Sequence, residues 1–135
     1  MELKIYCDGG ARGNPGPAAG AFVVLADNKE IAAEGKSFRV ATNNEAEYGA
    51  VIMAMTWLLK NNAASVVFYL DSELVVKQLN GVYKIKSKKL LPLAAKIKKL
   101  ERDFSGKIKF ENVRRGKNKR ADQLVNQTLD KPRVT

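Results

Sequence analysis

The sequence predicts an α/β fold in which one mixed sheet is flanked by helices. Three observations carry that reading. The N-terminal third holds three β-rich segments, the second and third joined by Asp27-Asn28-Lys29 as a hairpin turn. Residues 65–70 (SVVFYL) form a near-continuous apolar run, as in strands covered on both faces. Apolar residues recur at helical spacing on either side of that run. The order along the chain reads β-β-β-α-β-α-α-β-α. No repeat or interdomain linker interrupts the 135 residues, so one domain is expected over 1–135.

Each element has its own signal. Residues 3–8 (LKIYCD) read as a strand that stops at Gly9-Gly10, and 9–20, with five Gly and two Pro, as a loop. Residues 21–25 and 30–38 are the next two strands. Residues 42–60 are helical: Val51, Ala54, Met55 and Leu58 share a face, and Thr42 with Glu45 forms a capping-box pattern. A short helix over 72–79 ends at Asn80-Gly81. Pro92 suits the opening of a helix over 91–103. Alternation over 107–113 suits an edge strand. Residues 114–117 form a basic loop, and 118–129 a last helix with Ala121, Leu124, Val125 and Leu129 on one face. Pro132 and the polar ends predict fraying over 130–135.

Composition excludes several chemistries. Histidine is absent, which removes imidazole bases and His-ligated metals, and Cys7 is the only cysteine, which removes an internal disulfide and a thiolate cluster. No apolar run reaches a membrane span and no signal-peptide pattern opens the chain, so a cytoplasmic protein with no membrane partner is expected. The net charge of +10 is uneven: residues 1–76 carry −3 and residues 77–120 carry +13. A basic block beside an acidic half points to an anionic partner, nucleic acid first, although a lysine run also reads as a solvated face.

Four acids stand out by position. Asp8 ends the first strand, where α/β sites often lie, though it also suits turn initiation. Glu47 falls on the apolar stripe of its helix, where an ionised carboxylate is costly unless neutralised or set at the stripe's border. Asp71 follows the buried strand and suits an N-cap role as well, as does Ser72. Asp122 sits one turn into the last helix, a position that the helix dipole also favours. Carboxylates brought together repel, and divalent cations reverse that cost. Two Mg²⁺ ions can activate a water and stabilise the leaving oxygen of a phosphodiester, chemistry that needs no histidine.

With these residues in view, the chain resembles type 1 ribonuclease H. The resemblance rests on YCDGGARGNPGPAAGAFVV (6–24), TNNEAEYGAV (42–51), YLDSELVVKQLNG (69–81) and NKRADQLVNQTL (118–129). It implies a five-stranded mixed sheet in the order 3-2-1-4-5, flanked by helices. It implies metal-dependent hydrolysis of the RNA strand of an RNA–DNA hybrid, with two Mg²⁺ or Mn²⁺ ions when substrate is bound and 5′-phosphate and 3′-hydroxyl products. Asp8, Glu47, Asp71 and Asp122 take the metal-ligand positions. Gly9, Gly10, Asn14, Asn43, Asn44, Glu73 and Asn118 match substrate contacts, and Lys84 and Lys86 fall in the segment that some relatives use to grip the DNA strand. Many relatives carry a histidine in the loop before the last Asp; here residues 114–120 read RRGKNKR, so that task falls to a cation or is missing. A monomer with no obligate protein partner is expected. A hybrid-binding protein without catalysis and a same-fold nuclease acting on double-stranded RNA or junctions are the alternatives.

Overall fold

The structure, a computed structural model, describes residues 2–131. Five strands, β1 (Glu2–Ala11), β2 (Gly16–Ala26), β3 (Lys29–Ala41), β4 (Ser65–Leu70) and β5 (Lys107–Asn112), form one sheet in the order β3-β2-β1-β4-β5. The β1–β2 and β2–β3 pairs are antiparallel, and β4 lies parallel to β1 and β5. The helices are α1 (Asn43–Leu59), α2 (Glu73–Leu79), α3 (Leu90–Asp103) and α4 (Lys119–Asp130). None of the described helices is long and apolar enough to cross a membrane.

Alternation sorts the sheet's two faces. Leu3, Ile5 and Cys7 of β1 and Phe22 and Val24 of β2 join the main core with Val51, Met55 and Leu58 of α1 and Ile97 of α3. Ala19 and Ala21 of β2 face the other way, against Val125 and Leu124 of α4. This second face is covered less completely than the apolar run of β4 predicts: Tyr69 is half-buried and stacks on Tyr6 with ring centroids 4.8 Å apart.

The largest departure from the sequence reading is at Gly9-Gly10. They do not end β1. They pair with Gly20 and Ala19, and β1 runs on to Ala11, so the glycine-rich loop shrinks to residues 12–15. The glycines are there for close approach. A Cβ on Gly9 would lie 2.3 Å from the backbone carbon of Ala46 in α1. Elsewhere β3 runs three residues past its expected end, to Ala41, and the other boundaries move by one residue or none. Asp27 and Asn28 take φ of +49° and +62°, the left-handed pair of a tight hairpin turn. The capping box is formed: Thr42 accepts from the Glu45 amide at 3.1 Å and Glu45 accepts from the Thr42 amide at 3.0 Å. Ser72, not Asp71, caps α2, accepting from the Val75 amide. The basic loop contains a 3₁₀ turn, Arg115–Lys117. Helix α4 includes Asp130, and the rest of the tail expected to fray, from residue 132 on, lies outside the described residues.

Gly9→Ala is therefore expected to cost about 2 kcal/mol or more in urea unfolding, because backbone rather than a flexible side chain must yield. Gly116→Ala, whose Cβ would meet nothing within 4 Å, is the control and should change stability by less than about 0.5 kcal/mol.

Candidate active site

Four elements converge beside Asp8, three residues before β1 ends, and at the end of β4. Asp8 pairs with Ala21 and so points toward the α4 side of the sheet. Glu47 comes from the opposite layer, on the second turn of α1. The glycines after Asp8 carry no side chains, which leaves room for carboxylates from both layers to meet around the strand end. Asp71 leaves β4 one residue beyond Leu70, whose carbonyl accepts from the Val113 amide at 2.9 Å and from Asn112 Nδ2 at 3.1 Å. Those bonds hold the strand end that aims Asp71. Asp122 lies in the first turn of α4.

The result is a cluster. Carboxylate oxygens of Asp8, Glu47 and Asp71 lie within 4.8 Å of one another. Asp122 lines the same cavity of about 430 Å³, with residues Gly9, Gly10, Arg12, Asn43, Asn44, Arg115 and Asn126. Asp8 and Glu47 are buried at 6% and 7% exposure, Asp71 is half-buried and Asp122 exposed, so the cluster runs from the core to solvent. A groove of about 570 Å³ between β3, α1 and α3 is larger, but it carries no such cluster and its lining includes Phe38, Met53 and Trp57.

Crowding is visible in the protonation equilibria. Burial, then the charges of Asp71 and Asp122, push Asp8 up to about 7, against a partial offset from the Gly9 amide. Burial, then Asp8 and Asp71, push Glu47 well above the usual carboxylate range. The buried Cys7 thiol is raised too, first by burial and then by Glu47 and Asp8. Glu47 Oε2 is buried with no hydrogen-bond partner. An acceptor oxygen stranded inside an anionic cluster, with an all-oxygen donor set around it, fits a hard divalent cation such as Mg²⁺ or Mn²⁺.

The other expected site residues divide. Gly9, Gly10, Asn43 and Asn44 line the cavity. Asn14 stands behind Asn43 in a relay: the Ala11 amide donates to Asn43 Oδ1 at 2.8 Å, and the Asn43 amide donates to Asn14 Oδ1 at 2.9 Å. Both side-chain oxygens are thus engaged by backbone. Glu73 does not line the cavity and pairs with Lys77 at 2.7 Å, while Lys77 also lies over the Tyr83 ring at 5.0 Å. Lys84 and Lys86 are exposed on the irregular segment between α2 and α3 and do not line the cavity. Asn118 is 1% exposed behind the site, its amide on the Cys7 carbonyl, rather than in the groove. Sequence reasoning did not single out Arg12 or Asn126. Asn126 had a signal, the four-residue spacing from Asp122, and its Nδ2 donates to the Asp122 carbonyl at 3.1 Å. Arg115 is the cation of the histidine-free loop that reaches the acids' cavity.

The raised acids make stability depend on pH with a definite sign. Asp8 favours folding fully below its ordinary value of 3.8, and that contribution is lost as pH rises through about 7. In EDTA, stability should fall from pH 4 toward pH 8. Asp8→Asn should flatten the slope and raise stability at pH 8 by roughly 1–3 kcal/mol in urea unfolding.

Comparison with known proteins bears on the fold and the family. A family model described as reverse transcriptase-like matches residues 6–128. The bifunctional protein Rv2228c of Mycobacterium tuberculosis is 41% identical over 132 residues, covering 96% of this chain and 36% of that protein. The chain thus spans about a third of the length of the mycobacterial relatives it matches. The crystal structure of RNase H1 from the halophilic archaeon Halobacterium salinarum superposes with a TM-score of 0.92 at 35% identity, covering 96% of this chain and 98% of that one. LC11-RNase H1, isolated from compost by a metagenomic approach and crystallised in complex with an RNA/DNA hybrid, superposes with a TM-score of 0.89 at 38% identity, covering 95% and 96%. With the strand order, the acid cluster and these matches in agreement, the chain belongs to the reverse transcriptase-like family, and its domain is of the ribonuclease H type.

Proposed function

We propose that the chain is a divalent-cation-dependent endoribonuclease that hydrolyses the RNA strand of RNA–DNA hybrids. The observation that carries this reading is the approach of Asp8, Glu47 and Asp71 to within 4.8 Å, with Glu47 Oε2 left unpartnered. The relative crystallised with an RNA/DNA hybrid supports the substrate class.

Asp8, Glu47 and Asp71 would hold one cation, and Asp8 with Asp122 would hold a second. When bound, Mg²⁺ or Mn²⁺ supplies Lewis acidity and an acidified water for displacement at phosphorus. The bond formed joins water oxygen to phosphorus. The bond broken is from phosphorus to O3′, which takes up a proton, so the ends are 5′-phosphate and 3′-hydroxyl.

The protein's own groups bind and orient. The amide relay engages the oxygens of Asn14 and Asn43, so their NH₂ groups remain as donors to sugar and phosphate oxygens. The wide minor groove of a hybrid, with its 2′-hydroxyls, offers such acceptors. Arg115 brings fixed positive charge to the cavity. Lys84 and Lys86, on the exposed segment, would grip the phosphates of the DNA strand.

A labelled hybrid incubated with Mg²⁺ should be cut, and excess EDTA should stop cutting. Asp8→Asn should lower cleavage by more than about a hundredfold while hybrid binding survives. Binding without cutting by the wild type would instead identify a hybrid-binding protein. Replacing Lys84 and Lys86 together by Ala should weaken binding and reduce the slope of log affinity against log salt by about 2. An unchanged slope would remove that segment from the interface.

A further inference from the structure

Asn118 stands directly before α4, where an asparagine ordinarily turns its side-chain oxygen onto the helix's first amides. Here it makes no such bond. Its Nδ2 instead donates to the carbonyl of Cys7 at 2.8 Å, across 111 residues of chain. Cys7 lies one residue beyond Tyr6–Tyr69, the last pair of β1 with β4, and one residue before Asp8. On the helix side, the Asp122 amide donates to the carbonyl of the same Asn118 at 3.1 Å. One asparagine therefore joins the residue before one carboxylate to the turn that carries another.

The bond lies between the two elements that carry Asp8 and Asp122. Asp8 is built into β1 and Asp122 into the first turn of α4, so their like charges drive these two elements apart. One turn further along, Val125 anchors α4 over Gly10, but residues 114–117 before Asn118 are exposed and basic. Burial of Asn118 gains little net stability, since its Oδ1 is stranded without a partner and offsets the bond that Nδ2 makes. We propose that Asn118 is a positioning residue: through the Cys7 carbonyl it fixes the separation of Asp8 from Asp122, and with it the cation affinity of the cluster, without touching substrate. The proposal rests on the reading of the acids as cation ligands.

Asn118→Leu keeps the approximate shape and removes the donor. Calorimetric Mn²⁺ binding to the hybrid-free protein should weaken roughly tenfold. On labelled hybrid, kcat at low Mn²⁺ should fall by a similar factor and recover as Mn²⁺ is raised, with KM for hybrid within about twofold of wild type. Leu79→Ala, in the core of α2, controls for general destabilisation: it should lower stability yet keep wild-type Mn²⁺ affinity. Unchanged Mn²⁺ affinity in Asn118→Leu overturns the proposal, as does a raised KM with a wild-type cation response, which would make Asn118 a groove contact. If the leucine variant does not fold, Asn118→Ser enters the same measurements and is read by the same criteria. Calorimetry does not need cleavage, so a wild type that binds Mn²⁺ but cuts no hybrid would defeat the functional reading and leave this one standing.

Discussion

The mutual repulsion of carboxylates crowded around Asp8 of β1 is the constraint on which the rest of the site depends. Asp8 and Glu47 are nearly buried and both are pushed toward protonation, first by burial and then by their acidic neighbours. Left to itself, such a cluster opposes folding at neutral pH. On the proposed reading a divalent cation would reverse the sign, because the same oxygens that repel one another would become its ligands. Affinity for cation and strain in its absence are thus two aspects of one arrangement.

The fold contributes rigidity at each point where the acids press. The bare Gly9 lets the N-terminal part of α1 rest on β1, and the capping box fixes where that helix begins, so Glu47 is delivered to the strand end. Asn112 and Val113 hold the end of β4 just before Asp71. Asn118 ties the start of α4 to β1 just before Asp8. Each of the four acids therefore has, within a few residues, a backbone or amide bond that sets its position.

Much of this was legible in the sequence, for physical reasons. Glu47 stood out because a carboxylate on an apolar stripe needs an explanation, and the cluster supplies it. The cap of α1, the hairpin turn at Asp27-Asn28 and β4 followed from local chemistry and appear within a residue or so of their expected places. Gly9-Gly10 was misread because glycine signals a turn locally, whereas its use here is long-range: room for a helix some 37 residues away in sequence. Asn118 and Glu73 were assigned to substrate by resemblance alone. Only packing shows that one amide is turned inward and that the other side chain is held by Lys77. Arg12 and Arg115 carry no periodic signal, and it takes the tertiary fold to bring them to the acids.

The most direct test of the central claim is a carboxyl ¹³C NMR titration of Asp8 with and without Mg²⁺. Asp8 should titrate near pH 7 in metal-free protein and move down into or below the ordinary carboxylate range when Mg²⁺ is added. An Asp8 that titrates at an ordinary carboxylate value in both conditions, with no response to the cation, would contradict it.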